Sequence, residues 1–147
     1  MAKLTQTRGA QYVMEAQYVF NFDDTAVNSA GNEVDFGKTT AVSTAFDIID
    51  LPVDATVVGG SIMTETAFNS ATSYNVSVGD ANNAARYLAA ADRKGLMTAP
   101  VPLVPTGLRT DGIPIRLTVV PNGVCTTGKM TVRVQYTVGG RVNENSI

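Results

Sequence analysis

The sequence predicts a mainly β protein, an antiparallel β-sandwich or barrel that is jelly-roll-like, with one short helical insertion. Apolar residues alternate with polar ones in several short segments, and Gly, Pro, Asn and Asp separate those segments. The chain has 147 residues, of which 44% are apolar and 16% are charged. This length suits one domain with a core of its own. We therefore expect residues 1–15 to be a polar N-terminal arm and residues 16–147 to be a single sandwich domain.

The clearest alternation lies near the C-terminal end. From 129 to 138 every second residue is apolar, and a similar pattern covers 113–119. Pro121-Asn122-Gly123 and Thr127-Gly128 lie between the two segments and predict a hairpin with a long loop. Pro114 predicts that the earlier strand lies at a sheet edge, because proline cannot donate a ladder hydrogen bond.

Other segments predict further strands. They are 17–22, 44–49, 55–68 and 74–78, with one more expected between 34 and 42. Gly59-Gly60 predicts a bend or bulge in the longest of them.

One segment breaks the β pattern. Residues 80–96 are rich in Ala and Leu, with Asp80 as a plausible N-cap and Gly95 as a C-terminal stop, so they predict a short helix or helical turns. Residues 99–105 follow with three prolines and should be extended but poorly paired.

Most catalytic chemistry is excluded by composition. The chain has no histidine, so it has no imidazole base, no Ser-His-Asp or Cys-His pair and no ordinary zinc site. The single cysteine, Cys125, lacks a base to activate it and is expected to be a small packed side chain. Neither glycine-rich phosphate motif occurs. We expect a protein that is not an enzyme and needs no cofactor or metal.

Carboxylates leave two weaker alternatives. Asp47, Asp50 and Asp54 offer oxygen ligands for Ca²⁺, but their spacing is not that of an EF-hand and Asp is common in turns. Asp23-Asp24 likewise predicts a turn. A glycosidase with paired carboxylates would need aromatic platforms for a sugar, and the chain has no Trp.

Charge and composition favour protein partners. Residues 1–79 carry three basic and nine acidic side chains, whereas residues 80–147 carry eight and four, which gives −6 and +4. This asymmetry is compatible with electrostatic matching between copies, and the low charged fraction is compatible with a large interface. No basic cluster indicates nucleic acid, and no apolar run indicates a membrane or a signal peptide, so we expect a soluble protein made in the cytoplasm.

Several residues are candidate partner contacts. Arg86 and Tyr87 are large side chains in a segment of small residues, and both types are favoured at interface centres, although Tyr87 packed inward is the preferred alternative. The polar arm and the proline-rich segment could both reach beyond the domain. Their candidate contacts are Lys3, Arg8, Pro100, Pro102 and Pro105.

The order of several structural motifs resembles that of small structural proteins of tailed bacteriophages, in particular head decoration (cement) proteins. The motifs lie in Leu51–Gly60, Thr66–Ser70, Val76–Asp80 and Arg86–Asp92, and a closing strand follows in Met130–Arg141. The resemblance covers about residues 45–141. It implies a protein made in the host bacterium that binds the major capsid protein on the capsid exterior, as a homodimer or homotrimer. That family has no active site whose residues could be carried over.

Alternatives remain at this point. One is a phage neck, tail or fibre-associated subunit, and another is a carbohydrate-binding adhesion module.

Overall fold

The protein is built from two four-stranded antiparallel sheets and a small two-stranded one. The computed structural model describes residues 13–39, 41–69 and 72–138. The strands are β1 (Met14–Asn21), β2 (Thr25–Val27), β3 (Glu33–Asp35), β4 (Thr44–Ile49), β5 (Ala55–Thr66), β6 (Tyr74–Gly79), β7 (Leu88–Asp92), β8 (Val101–Pro102), β9 (Ile115–Pro121) and β10 (Lys129–Val138). The predicted mainly β, sandwich-like fold is confirmed.

The strand order is that of a jelly roll. The first sheet has the order β1-β10-β5-β8 and the second has the order β4-β9-β6-β7, while β2 and β3 form a separate hairpin. With that hairpin set aside, the strands pair from the two ends inward: β1 with β10, β4 with β9, β5 with β8 and β6 with β7. The chain is therefore one long hairpin that is rolled into two packed sheets.

Several predicted strands lie where the alternation puts them. β4 and β10 have the predicted bounds, and β1, β5 and β6 match within a few residues. The predicted irregularity in β5 is confirmed, because the register with β10 shifts between Gln135 and Tyr136 and leaves Val58 without a partner in the register. The strand expected between 34 and 42 is shorter than that segment, since β3 ends at Asp35.

The predicted hairpin between the last two long strands is wrong. β9 lies in the second sheet and β10 in the first, so the turn residues between them carry the chain from one sheet to the other. Edge placement of the earlier strand is also wrong, because β9 pairs with β4 on one side and with β6 on the other. Pro114 immediately precedes β9, where its missing N–H costs no ladder hydrogen bond.

The predicted helical insertion is also wrong. The residues described contain no helix, and hence none able to cross a membrane. Residues 80–87 form a tight connection and residues 88–92 form β7. Alanine has high intrinsic helix propensity, but this run pairs with β6 and that tertiary pairing decides its structure.

Residues 1–12 lie outside the described residues. The polar arm predicted for 1–15, with its candidate contacts Lys3 and Arg8, therefore stays a prediction. β1 begins at Met14.

A chain of aromatic rings crosses the core between the two sheets. Phe36, just after β3, stacks on Phe20 of β1 with ring centroids 4.4 Å apart and lies 4.3 Å from Phe46 of β4. On the other side of Phe20, Phe68 stacks on Tyr74 of β6 at 4.0 Å. All five rings are buried, so they join both sheets and the β2–β3 hairpin into one core.

Tyr74 is the polar member of this aromatic core. Its hydroxyl donates a hydrogen bond of 2.5 Å to the carbonyl oxygen of Phe36. Burial raises the pKa of its phenol well above the ordinary value of 10.0, and nearby Cys125 and Asp35 add to this shift. Cys125 is buried, as expected of a packed thiol, and its backbone N–H donates to the carbonyl of Gly37.

We expect Tyr74→Phe to lower the free energy of unfolding by about 1–3 kcal/mol at pH 7, because the buried Phe36 carbonyl loses its donor. Above pH 10 the unfolded chain ionises this tyrosine while the folded protein keeps it neutral, so the folded state binds more protons. The stability of the unsubstituted protein then falls by up to about 1.4 kcal/mol per pH unit from this group alone. The difference between the two proteins should therefore shrink from pH 10 to pH 11.

Urea unfolding at pH 7, 10 and 11 tests this expectation. The phenols of Tyr18 and Tyr87, whose pKa values burial also raises, are present in both proteins and cancel in the difference. A difference that stays constant across the three pH values would contradict the role given to Tyr74.

Candidate functional site

The candidate partner contacts that the structure describes lie on one side of the sandwich. We call this surface the β7–β8 side and define it as residues 85–93 and 99–105. It contains Arg86, Tyr87, Pro100, Pro102 and Pro105. β7 is the last strand of one sheet and β8 is the last strand of the other, so this side presents one edge of each sheet.

A tight polar connection leads into β7. The Asp80 carboxylate accepts hydrogen bonds of 2.9 Å from the N–H groups of Asn82 and Asn83, and its own N–H donates to the Asn83 carbonyl. Gly79 is needed here for space, because a Cβ on it would lie 2.1 Å from that same carbonyl oxygen. Asp80 thus caps a turn, as it would cap a helix, but the chain returns along β6 instead of continuing helically.

Arg86 is held by the same carboxylate. Its Nε lies 2.6 Å from Asp80 Oδ2, and its side chain is 25% exposed, against 8% for Asp80. A charge-assisted contact of this length fixes the guanidinium against the turn. Arg86 therefore contributes a positioned planar group whose charge is already matched by one buried carboxylate.

Tyr87 is buried beneath the β7–β8 side. It is only 2% exposed, and burial raises the pKa of its phenol above the ordinary value, with Asp80 adding to the effect. Its backbone N–H donates to Val78 of β6, and its carbonyl accepts from the N–H of Val104. Tyr87 thus ties the proline-rich segment to β7, whereas its ring is not presented outward.

The proline-rich segment is extended along the edge of β5. Val101 and Pro102 pair with Ile62 and Ser61, and the buried Leu103 donates its N–H to the carbonyl of Gly60. Pro100, Pro102 and Pro105 are exposed. This arrangement agrees with the expectation of an extended, poorly paired segment, since β8 has only two residues.

An open groove of about 450 Å³ lies between β7 and this segment. The described residues that line it are mostly apolar; two of them, Arg86 and Arg93, are basic and none is acidic. Val104 projects beside it and is 66% exposed. Beyond Arg86 a smaller cavity of about 110 Å³ is polar and reaches Arg109 and Asp111.

Arg93 is the cation of the groove that has no ion-pair partner among the described residues. Its Nε is buried and has no hydrogen-bond partner among the described residues. Its backbone is fixed, because the N–H donates to the Tyr74 carbonyl and the carbonyl accepts from the Thr64 hydroxyl. The Cα of Arg93 is therefore fixed beside the groove, and its Nε is enclosed by the protein.

The outer face of the first sheet has a different character. Arg133 lies near Glu15 and Gln17, and Lys129 lies near Glu65, so its charges are paired across neighbouring strands. Such exposed pairs contribute little stability, and they make this sheet face a hydrated, charged surface. The contrast makes the β7–β8 side the better candidate for a protein interface.

The three aspartates considered for Ca²⁺ do not form a ligand set. Asp47 makes two contacts with Arg116, the shorter of 2.8 Å, and Asp54 lies 3.4 Å from Arg109. Within residues 13–39, 41–69 and 72–138, no three acidic or cysteine side chains group in a way that could hold a metal ion. Asp23-Asp24 lies in a turn, as predicted, where the Asp24 carboxylate accepts the N–H of Asn21.

No protein-family model and no curated protein sequence matches the chain. Among solved structures, a chain of the capsid asymmetric unit of cyanophage Pam1 aligns with a TM-score of 0.62 and 20% sequence identity. The alignment covers 89% of this chain and 88% of that chain.

The fold resembles that of a phage capsid chain. The likeness extends over nearly the whole of both chains, so their lengths are similar as well. At this identity it concerns the fold alone. It agrees, at that level, with the resemblance to phage head proteins that the sequence motifs indicate.

Sequence reasoning missed Arg93, Val104 and the exposed alanines of β7. The alanine run predicts a helix when it is considered alone, and a helix would have placed Ala89 and Ala91 on different faces from those they occupy in a strand. The available signal was Gly79-Asp80 followed by Asn82-Asn83, which are turn residues directly after a strand.

Proposed function

We propose that the protein is a non-enzymatic virion structural protein that binds the outside of a phage capsid and stabilises it as a decoration, or cement, protein. The observation that carries the proposal is the likeness of fold to a chain of a cyanophage capsid over 89% of this chain. The proposed partners are the major capsid protein and further copies of this chain, as a homodimer or homotrimer.

The β7–β8 side supports a role in protein contacts. It combines an apolar groove with positioned arginines, which are features of interface centres, and exposed prolines lie beside them. A decoration protein adds buried area across the seams between shell subunits, and each bound copy stabilises the shell by mass action. Because such contacts repeat around a symmetric shell, weak individual contacts suffice.

The described aromatic residues favour this function over carbohydrate binding. From residue 13 to residue 138, each described Phe or Tyr is buried or half-buried, so none offers an open ring face as a sugar platform. Support for a non-enzymatic role comes from the lack of histidine and from the arginine pairing of Asp47, Asp54 and Asp80.

The copy number of the protein in purified particles tests the proposal. We expect quantitative mass spectrometry to find it at a ratio to the major shell protein close to one, because a cement protein follows the shell lattice. A few copies per particle would instead assign it to the neck, tail or fibres. Absence from particles would overturn the structural proposal, and a glycan array would then become the next measurement.

A further inference from the structure

β7 is an edge strand whose outer side has no strand partner among the described residues. On one side it pairs with β6, and no strand in the described part of the chain pairs with its other side. Its exposed residues are Ala89 and Ala90, which have small side chains, and Asp92, whose carboxylate already accepts the N–H groups of Tyr74 and Lys94. Among the other edges of the two four-stranded sheets, β8 has only two residues and one is proline, and the Ala45 carbonyl of β4 already accepts the N–H of Ser29. β1 is also an edge strand, but its exposed Glu15 is already paired with Arg133 of β10.

Backbone geometry directs hydrogen-bonding groups of β7 toward the groove. The N–H of Arg93 donates to the Tyr74 carbonyl of β6. Because successive residues of a strand point their backbone groups in opposite directions, the N–H of Asp92 points away from β6. The register shift opposite Ser77 interrupts the strand at Ala89 and Ala90, so the regular part of the edge is only two or three residues long.

The residues beside this edge favour an acidic partner segment. The groove floor is made of small alanine side chains, which leave room for the side chains of an added strand. Arg86 is neutralised by Asp80, whereas Arg93 forms no ion pair with a carboxylate of the described residues. A carboxylate on the incoming segment would supply the counter-charge that this guanidinium lacks among the described residues.

We infer that the free edge of β7 binds a short extended segment of the capsid shell protein, which adds two or three residues of β-strand and places an Asp or Glu carboxylate on Arg93. Main-chain hydrogen bonds to the edge supply affinity, and the groove with its cation supplies selectivity. This inference rests on the proposed function, because it names the shell as the source of the segment.

Hydrogen exchange on the whole protein tests the strand addition. The exchange of peptides covering 88–93 is compared between free protein and protein bound to purified particles. We expect slower exchange in this region on particles, with peptides from β10, which lies between two strands, unchanged. If exchange of 88–93 in the free protein becomes slower as the protein concentration rises, a second copy of the chain occupies the edge. That result would overturn the shell segment as the occupant.

Titration tests the cation. The Arg93→Gln protein is added back to particles assembled without the wild-type protein, beside Lys38→Gln, which removes one exposed charge from the loop after β3. We expect the dissociation constant for particles to rise about tenfold or more for Arg93→Gln, because one desolvated charge pair is lost. It should stay unchanged for Lys38→Gln. Urea unfolding of the unbound variants shows whether both are folded, and Arg93→Lys should restore part of the affinity.

The two proposals fail in different ways. Wild-type protein that does not bind particles would overturn the proposed function itself. Wild-type protein that binds, with 88–93 unprotected and Arg93→Gln binding equally well, would overturn the β7 site and leave the cement function standing.

Discussion

Phe36→Ala is expected to lower the free energy of unfolding by about 3–5 kcal/mol. Phe36 is fully buried and its ring contacts those of both Phe20 and Phe46, so its removal opens a cavity where the β2–β3 hairpin meets the two sheets. Lost ring contacts add to the loss of buried apolar area. Urea denaturation followed by tyrosine fluorescence or circular dichroism gives the measurement.

Val27→Ala is the matched control for this substitution. Val27 belongs to the same hairpin but is 62% exposed, so its truncation should change the free energy of unfolding by less than about 0.5 kcal/mol. A loss below about 1 kcal/mol for Phe36→Ala would contradict the central place assigned to this ring.

Gly60→Ala is expected to cost at least about 3 kcal/mol and to loosen the proline-rich segment. Gly60 has a φ of 134°, a region that residues with a Cβ rarely enter, and an added Cβ would lie 2.2 Å from the backbone oxygen of Arg133 in β10. Its carbonyl also holds the Leu103 N–H. Faster hydrogen exchange of residues 101–104, together with a lower urea midpoint, should accompany the substitution.

Gly95→Ala is the corresponding control. A Cβ at this position meets no atom within 4 Å and its φ is not in the positive region, so the substitution should be neutral or slightly stabilising. If Gly60→Ala proved as stable as Gly95→Ala, the close approach of β5 and β10 at this point could not be as described.

Local alternation predicted most strands, but it could not assign them to sheets. The period-two patterns of 44–49 and 129–138 reflect one buried and one exposed face, and both strands form with these bounds. The same pattern does not record which neighbour a strand pairs with. The turn residues after β9 are equally compatible with a hairpin loop and with a crossing between sheets. The packing of the two sheets against each other determines that the chain crosses.

The candidate site was predictable only in part. Arg86 and the prolines stand out because their size or rigidity is unusual in their segments, and the structure brings them to one side of the sandwich. Arg93 carries no such local signal. Its importance arises from what surrounds it after folding, namely a groove whose described lining residues include no carboxylate.

The pairing of β1 with β10 has a consequence for biosynthesis. Met14 lies opposite Tyr136, and β10 is also the partner of β5, so the first sheet cannot close until almost the entire described chain has left the ribosome. The apolar faces of β1 and β5 therefore stay exposed in the nascent chain during most of its synthesis. Folding should be slow, as in other proteins with distant contacts, and begin only after translation nears completion. Transient protection by chaperones, and sensitivity of yield to growth temperature, are the expected results in the cell.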